Sequence, residues 1–317
     1  MRIIFMGTPD FAAASLKALL DAGKQVVAVV TQPDKPKGRG KQLQPPPVKK
    51  LAEEFHLPVL QPTSIRTEEF FRTLQGLRPD CIVVVAYGKI LPPEILELPP
   101  KGCINVHASL LPYYRGSAPI HWSVINGETE TGVTTMFMDQ GMDTGDMILK
   151  KRLAIGPDDT VGVVHDRLAV LGAELLIETI DLLEKGLAPR TPQDHTLATY
   201  APMLKKEHEV IRWDQSARDI HNHVRGMNPW PGTYTTWEGK VLKIWRTRVP
   251  EARPVKAAPG TVLEAASSGI LVQTGQGQIL ITELQLQGNK RMEVEPFLRG
   301  KQISPGTVFG REGAEQQ

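Results

Sequence analysis

Residues Cys103 to His107 read Cys-Ile-Asn-Val-His, and they constrain the fold more than any other stretch of the 317-residue chain. Cys103, Ile104 and Val106 are apolar or β-branched, as a buried strand requires. Side chains alternate faces along a strand, so Asn105 and His107 share one face. Polar groups on a buried strand are costly unless they are bonded. Two of them sit at the strand's end, directly before a loop. That is the carboxyl edge of an open α/β sheet, where such sheets bind ligands. Asn offers a neutral amide donor, and His a proton that exchanges near neutral pH. The pair suits a site where a developing oxyanion needs donors and an amine must lose a proton.

The opening of the chain supports that sheet. Arg2 to Met6 is a short apolar strand, followed by Gly7-Thr8-Pro9-Asp10 and a helix to about Ala22. Gln25 to Thr31 is the next strand. This βαβ order predicts a parallel, Rossmann-like sheet. The turn after the first strand reads Gly-Thr-Pro-Asp-Phe-Ala and lacks Gly-x-Gly-x-x-Gly, which argues against a nicotinamide enzyme. His56-Leu57-Pro58-Val59-Leu60 is a short strand, and Ser64 to Gln75 a helix capped by Ser64. Cys81 to Ala86 is a continuous apolar run of the kind found in central parallel strands. Gly132 to Met138 is a strand that delivers Asp139 to Asp143, and Asp146 to Ile155 returns as another. From Asp159 to Gly186 the pattern is helical, with Val161, Val164, Leu168, Leu171, Leu175 and Leu182 on one stripe.

The composition then shifts. Pro189, Pro192 and Pro202 lie in a stretch without periodicity, read as a linker over 190–207. Beyond it, short strands at 232–237, 241–249, 260–263, 269–274 and 278–286 are broken by glycines, as in a small β-barrel. A chain of this length favours two domains, here 1–189 and 208–317. Hydrophobic content of 41% and charged content of 23% fit a soluble globular protein. Cys81 and Cys103 both sit in apolar runs, as buried hydrophobes rather than a disulfide or metal pair. No Cys/His cluster has zinc spacing. Met1 to Gly7 is not a signal peptide, and no run reaches membrane-spanning length, so a cytoplasmic protein without membrane contact is expected.

A net charge of +2 does not announce a nucleic-acid binder, so any basic surface must be local. Gln32 to Lys50 is the strongest candidate: Lys35, Lys37, Arg39, Lys41, Lys49 and Lys50 face a single acid, Asp34. Its prolines and glycines argue against regular structure, and a long loop near the ligand edge suits a phosphate-backbone contact. From Arg212 onward there are 14 Lys/Arg against 10 Asp/Glu. There, Lys240, Lys243, Arg246 and Arg248 with Trp237 and Trp245 are the best candidates for RNA contact, joined by Lys205 and Lys206 in the linker.

The strand of Asn105 and His107 continues as Ser109-Leu110-Leu111-Pro112, then Arg115-Gly116. Downstream stands Asp139-Gln140-Gly141-Met142-Asp143-Thr144-Gly145-Asp146. The latter run lacks the spacing and terminal Glu of a calcium loop. Together these motifs resemble the folate-dependent formyltransferases, which carry Asn-x-His-x-Ser-Leu-Leu-Pro and a later Asp-x-Gly. The resemblance covers essentially the whole chain. It implies a catalytic set of Asn105, His107 and Asp143. It also implies a folate pocket lined by Tyr87, Gly88, Lys89, Ile90 and Leu91, by Ser109, Leu110, Leu111 and Pro112, and by Asp139, Gln140 and Gly141. The basic loop resembles the insertion loop of the family's tRNA-acting branch, which enters the acceptor arm. Arg39, between Gly38 and Gly40, matches its key arginine. That branch has an OB-like terminal barrel, which fits the strands after residue 208. One departure is Tyr113, where many relatives carry a basic residue near the folate entrance.

The resemblance implies transfer of the formyl group of 10-formyltetrahydrofolate to the α-amino group of methionyl initiator tRNA, by a monomer that needs no metal. Asn105 and protonated His107 would hold the oxyanion. Asp143 would favour the charged imidazole and help remove the amine proton, directly or through water. Three other readings stand beside it: formyl transfer to a sugar nucleotide or purine precursor, hydrolysis of formyl-folate, and a tRNA-binding module without activity. The basic loop speaks against the first, and the presence of all three polar residues against the last.

Overall fold

The computed structural model describes residues 1–37, 42–251 and 253–310. By its contacts the chain forms two units. The first comprises Met1–Pro119, Glu130–Ala154 and His165–Pro202, the second Ile120–Thr129, Ile155–Val164 and Met203–Gln317. The division is therefore not one cut near residues 190–207: two short segments that precede residue 165 pack with the second unit.

The first unit is built on the mostly parallel, Rossmann-like sheet that the βαβ pattern predicts. Its strands lie in the order Met147–Ala154, Glu130–Phe137, Cys103–His107, Cys81–Val85, Arg2–Gly7, Gln25–Val30, Val59–Leu60. Ile3, Ile4, Phe5 and Met6 are all fully buried, because a parallel sheet is covered on both faces. Glu130–Phe137 runs antiparallel to both of its neighbours. From Arg2–Gly7 the chain winds outward one way to Gln25–Val30, and later the other way from Cys81–Val85 to Cys103–His107. The crevice beyond the carboxyl ends of Arg2–Gly7 and Cys81–Val85 is thus the switch point of the sheet. Gly7 closes it tightly: a Cβ there would lie 2.7 Å from Ala12 Cβ and 2.9 Å from the Val85 carbonyl oxygen. Cys81 and Cys103 are buried, and burial pushes the Cys81 thiol up to about 12.

Three local expectations change. The third helix spans Glu68–Gly76, and its cap is Thr67, whose Oγ1 accepts the Phe70 N–H at 3.3 Å. Ser64 Oγ instead accepts the Arg66 N–H, a turn contact that precedes the helix. The basic loop carries regular structure after all. Lys35–Lys37 pairs antiparallel with Gln42–Gln44, a two-stranded arm in which Pro36 is tolerated because no further strand needs its missing N–H. Residues 190–202, with the composition of a linker, run along the first unit. Thr191 exchanges backbone hydrogen bonds with Met147 at 2.9 Å, and Tyr200–Ala201 pairs with Arg115–Gly116.

The second unit is the smaller β domain. Its antiparallel strands run Thr233–Trp237, Lys240–Arg248, Gln278–Leu286, Gly269–Gln273, Val262–Ala266, with Met292–Glu293 also paired to Gln278–Leu286. The inward residues Leu242, Ile244, Ile270, Val272, Ile279 and Ile281 alternate along these strands and form its core. Helix Ala217–Gly226 lays Ile220 and Val224 on that core, and Val294–Gly300 adds Phe297.

Two histidines of the Ala217–Gly226 helix make this unit sensitive to acid. His221 Nδ1 meets Thr247 Oγ1 at 3.0 Å, and His223 Nε2–H donates to the His208 carbonyl at 2.6 Å. Burial holds both imidazoles below their ordinary range. In the unfolded chain they take protons around pH 6.5. Below that pH the unfolded state therefore binds more protons than the folded one, and stability is lost as pH falls further. All five tryptophans lie in this unit, so their fluorescence reports its unfolding alone. The melting temperature read this way should drop between about pH 7 and pH 5.5, and more gently in a His221→Gln/His223→Gln variant. An unchanged slope in that variant would assign the acid sensitivity to other groups.

Candidate active site

The Cys103–His107 strand delivers Asn105 and His107 to one face. Asn105 is flanked by Val84 on one neighbouring strand and Met136 on the other, and His107 stands opposite Thr134. The chain then turns sharply through Ser109–Tyr113. Thr134 Oγ1 donates to the Ser109 carbonyl at 2.7 Å and accepts the Leu111 N–H at 3.1 Å. Ser109 Oγ donates to the Tyr113 carbonyl at 2.6 Å. Tyr114 follows at φ +59°, a left-handed residue that turns its carbonyl back toward the strand.

That carbonyl fixes the histidine. His107 is 6% exposed, and its Nε2–H donates to Tyr114 O at 2.9 Å. A carbonyl only accepts, so Nε2 must carry a proton and Nδ1 is the nitrogen left for chemistry. Nδ1 faces Asp143 Oδ2 at 3.7 Å, and Asn105 Nδ2 points at Asp143 Oδ1 at 3.4 Å. The carboxylate itself is anchored by the Gly116 N–H, which donates to Oδ2 at 2.8 Å.

Asp143 sits on the Asp139–Asp146 turn at φ +54°, a conformation that L residues adopt reluctantly. The turn is internally bonded: Asp139 Oδ1 accepts from the Gly141 N–H at 3.0 Å and from Thr144 Oγ1–H at 2.7 Å. Gly141 and Gly145 leave no room for a Cβ, which would come within 2.0 Å of Thr144 Oγ1 and 1.9 Å of Phe137 O respectively.

Two donors and one carboxylate thus converge without closing on one another. Both gaps exceed the about 2.7–3.2 Å of a well-made hydrogen bond. An oxygen brought between Asn105 Nδ2 and His107 Nδ1 could therefore accept from both while the carboxylate stays on the imidazole. This is the arrangement an acyl transfer from a neutral donor needs.

The comparisons with known proteins agree. A family model described as "Formyl transferase" matches residues 1–180, and one described as "Formyl transferase, C-terminal domain" matches residues 203–302. The chain belongs to the formyl transferase family. It is 76% identical to the Methionyl-tRNA formyltransferase of Desulforamulus reducens over 313 residues, 99% of each chain. It is 58% identical to that of Pelotomaculum thermopropionicum, covering 98% of this chain and 99% of the relative. Among solved structures it resembles WlaRD, a sugar 3N-formyl transferase in the presence of dTDP and 5-N-formyl-THF. The TM-score there is 0.67 at 18% identity, over 92% of this chain and 99% of that one. It also resembles HypX from Aquifex aeolicus in complex with tetrahydrofolic acid, with a TM-score of 0.62 at 17% identity. That match covers 97% of this chain but 51% of HypX. At such identities the structural likeness speaks to the fold.

Of the other residues that a formyl transferase leads one to expect, the structure separates scaffold from open surface. Tyr87 is 2% exposed and packs among Ile4, Val84 and Ile95, and burial raises its phenol to about 12. What it presents to the switch point is its backbone: Thr8 Oγ1 and Gln32 Nε2 both donate to its carbonyl, at 3.4 and 3.1 Å. Lys89 Nζ donates to the Pro62 and Thr63 carbonyls, and Leu91 is core. Ser109 spends its hydroxyl inside the turn, Leu111 packs on Met136 and Met147, and Pro112 is buried. Leu110 is half-buried. Gly88, Ile90, Asp139, Gln140 and Gly141 remain exposed.

The basic residues separate in the same way. Lys35, Lys205, Lys206, Lys240 and Arg248 are exposed, whereas Lys243 Nζ donates to the Pro231 carbonyl at 3.2 Å. Arg246 is tied to Glu283 at 3.3 Å and Glu293 at 3.2 Å. The Lys37 side chain, Arg39 and Lys41 lie outside the described residues. Trp237 and Trp245 are 6% and 8% exposed, so their rings are not open platforms for bases. Trp245 is covered by Lys243 and Arg291, whose cationic groups stand 5.4 and 4.7 Å from its centroid.

Three contributors carry no sequence signal. The Gly116 N–H acts through the backbone, and Thr134 through a neighbouring strand. Gln193 sits in the Pro-flanked stretch that reads as a linker, yet is 5% exposed beneath the Asp143 turn.

Proposed function

We propose that the chain transfers the formyl group of 10-formyltetrahydrofolate to the α-amino group of the methionine on initiator tRNA. The convergence of Asn105, His107 and Asp143 carries this reading. Its support from outside the structure is the full-length identity to Methionyl-tRNA formyltransferases. The folate supplies the formyl carbon and a leaving nitrogen. Asn105 and the protonated His107 donate to the formyl oxygen as the amine adds to the carbon and the oxygen gains charge. Asp143 takes the proton released by the amine, directly or through a water, and returns it to the leaving nitrogen as the tetrahedral centre collapses. The amine nitrogen ends with one proton fewer and the folate nitrogen with one more, so no covalent enzyme adduct is needed. The exposed Gly88, Ile90 and Asp139–Gly141 surfaces face the donor, and the scaffold residues Tyr87, Ser109 and Leu111 shape its pocket. The first domain carries the chemistry and the terminal domain binds tRNA without reading sequence, aided by Lys205 and Lys206 and by the basic loop with Arg39. The enzyme acts as a monomer in the cytoplasm.

The test is an acceptor competition. Labelled formyl from 10-formyltetrahydrofolate should pass to methionyl initiator tRNA in preference to free methionine and an amino-sugar nucleotide. Free methionine falls short because it makes no phosphate contacts. Preferred transfer to the sugar nucleotide would overturn the reading.

A further inference from the structure

The catalytic carboxylate stands on a turn that its own residues do not fully determine. Asp143 holds a left-handed backbone at φ +54°, and such residues persist only where the surroundings over-determine them. Beside the turn's own bonds and the Gly116 N–H on the carboxylate, one buried side chain holds this backbone. Gln193 Nε2 donates to the Asp143 carbonyl and to the Gly145 carbonyl, both at 2.8 Å, and so straddles Thr144. Its Oε1 accepts from Arg115 Nε at 3.1 Å and Nη2 at 2.7 Å. All four hydrogen-bonding positions of the amide are thereby filled. The amide also cannot flip. Two carbonyls only accept and a guanidinium only donates, so a reversed amide would face like against like on both sides.

Arg115 is itself fixed. It is 2% exposed, and its Nη2 also donates to His195 Nδ1 at 3.0 Å. The next residue, Gly116, gives its N–H to the Asp143 carboxylate. The Arg115–Gly116 segment thus grips Asp143 twice, once at the carboxylate and once through Gln193 at the backbone.

We propose that Gln193 is a positioning residue for formyl transfer. It clamps the Asp143–Gly145 backbone and so sets the carboxylate against His107 and Asn105. This rests on the catalytic assignment of Asp143 above. Gln193 is 5% exposed, with its amide spent on the turn and on Arg115, so its effect reaches the reaction through the placement of the turn.

Gln193→Glu isolates that role. The carboxylate keeps the side chain's length and its acceptor face to Arg115, but it cannot donate, and it sets an oxygen against two carbonyl oxygens. In the full-length enzyme, kcat should fall roughly 10- to 100-fold, the range seen when orienting partners are removed or a group is misplaced by about 1 Å. The KM for the folate and for tRNA should stay within about twofold, because nothing that binds them is altered. Gln193→Asn keeps the amide but is one methylene short, and should fall between. Asp143→Asn is run beside them. If it is inactive and Gln193→Glu turns over like the parent, the positioning role is wrong. If Asp143→Asn itself turns over like the parent, the catalytic assignment fails instead. A loss that vanishes when rates are normalised to the folded fraction by circular dichroism would make Gln193 a stability residue only, and would also overturn the proposal.

Discussion

His107→Gln is expected to lower kcat for formyl transfer by about 10²–10⁴-fold, while folate binding and the melting temperature stay near the parent's values. Glutamine is the informative replacement because of how the ring is held. Nε2–H is committed to the Tyr114 carbonyl at 2.9 Å, and a glutamine amide can make that bond. What it lacks is the second nitrogen, Nδ1, which faces Asp143 across 3.7 Å. The variant therefore removes the proton that reaches the reacting oxygen and leaves the scaffold bond in place. An alanine would mix the two effects by leaving the Tyr114 carbonyl buried without its donor. Stopped-flow or quench measurements of a single turnover, together with folate titration, separate chemistry from binding. A near-parent single-turnover rate would mean that Nδ1 takes no part, and the oxyanion would have to rest on Asn105 and other groups.

Much of this site was legible in the sequence because its parts are short-range. Alternation along Cys103–His107 fixes that Asn105 and His107 share a face, and the apolar run fixes that the strand is buried. The Asp143 turn announces itself by five glycine or aspartate positions in a row of eight residues, and the following strand explains how it returns to the sheet. Backbone partners were not legible. The Tyr114 carbonyl and the Gly116 N–H are chemically identical to those of any residue, so only their placement reveals them. Gln193 was hidden for a different reason. It lies 50 residues from Asp143 in sequence, among prolines that read as a linker, and no periodicity marks an extended segment that lies against a folded unit. The helix capped by Thr67 instead of Ser64 shows the same limit on a small scale, since both residues are competent caps and only the chain path selects one. Trp237 and Trp245 erred in the opposite direction. Their basic neighbours in sequence suggested a nucleic-acid platform, but Trp237 packs into the core of the second unit and the ring of Trp245 is covered by Lys243 and Arg291.

Gly145→Ala should cost about 10²-fold in kcat, although residue 145 touches no reacting atom. The reason is a close approach and not backbone freedom, since Gly145 is not among the residues with positive φ. A Cβ at this position would lie 1.9 Å from the Phe137 carbonyl oxygen and 3.0 Å from its carbon. Something must move by more than 1 Å to restore an ordinary contact of about 3.4 Å. Phe137 ends a strand whose partners hold it on both sides: it pairs with Ile104, and its N–H donates to the Asp146 carbonyl at 2.9 Å. Its side chain is 7% exposed, so the strand end is the stiffer party. The turn yields, and with it Asp143 two residues away. A shift of that size opens the already long 3.4 and 3.7 Å gaps to Asn105 and His107, and it pulls the Gly145 carbonyl off Gln193. The matched control is Gly76→Ala at the end of the Glu68–Gly76 helix, where a Cβ meets nothing within 4 Å. That change should leave kcat alone and hold or slightly raise the melting temperature, because alanine favours a helix over glycine. If Gly145→Ala instead matched Gly76→Ala in turnover, the Asp143 turn would be able to absorb an ångström without consequence, and the need for tight placement of the carboxylate would fall with it.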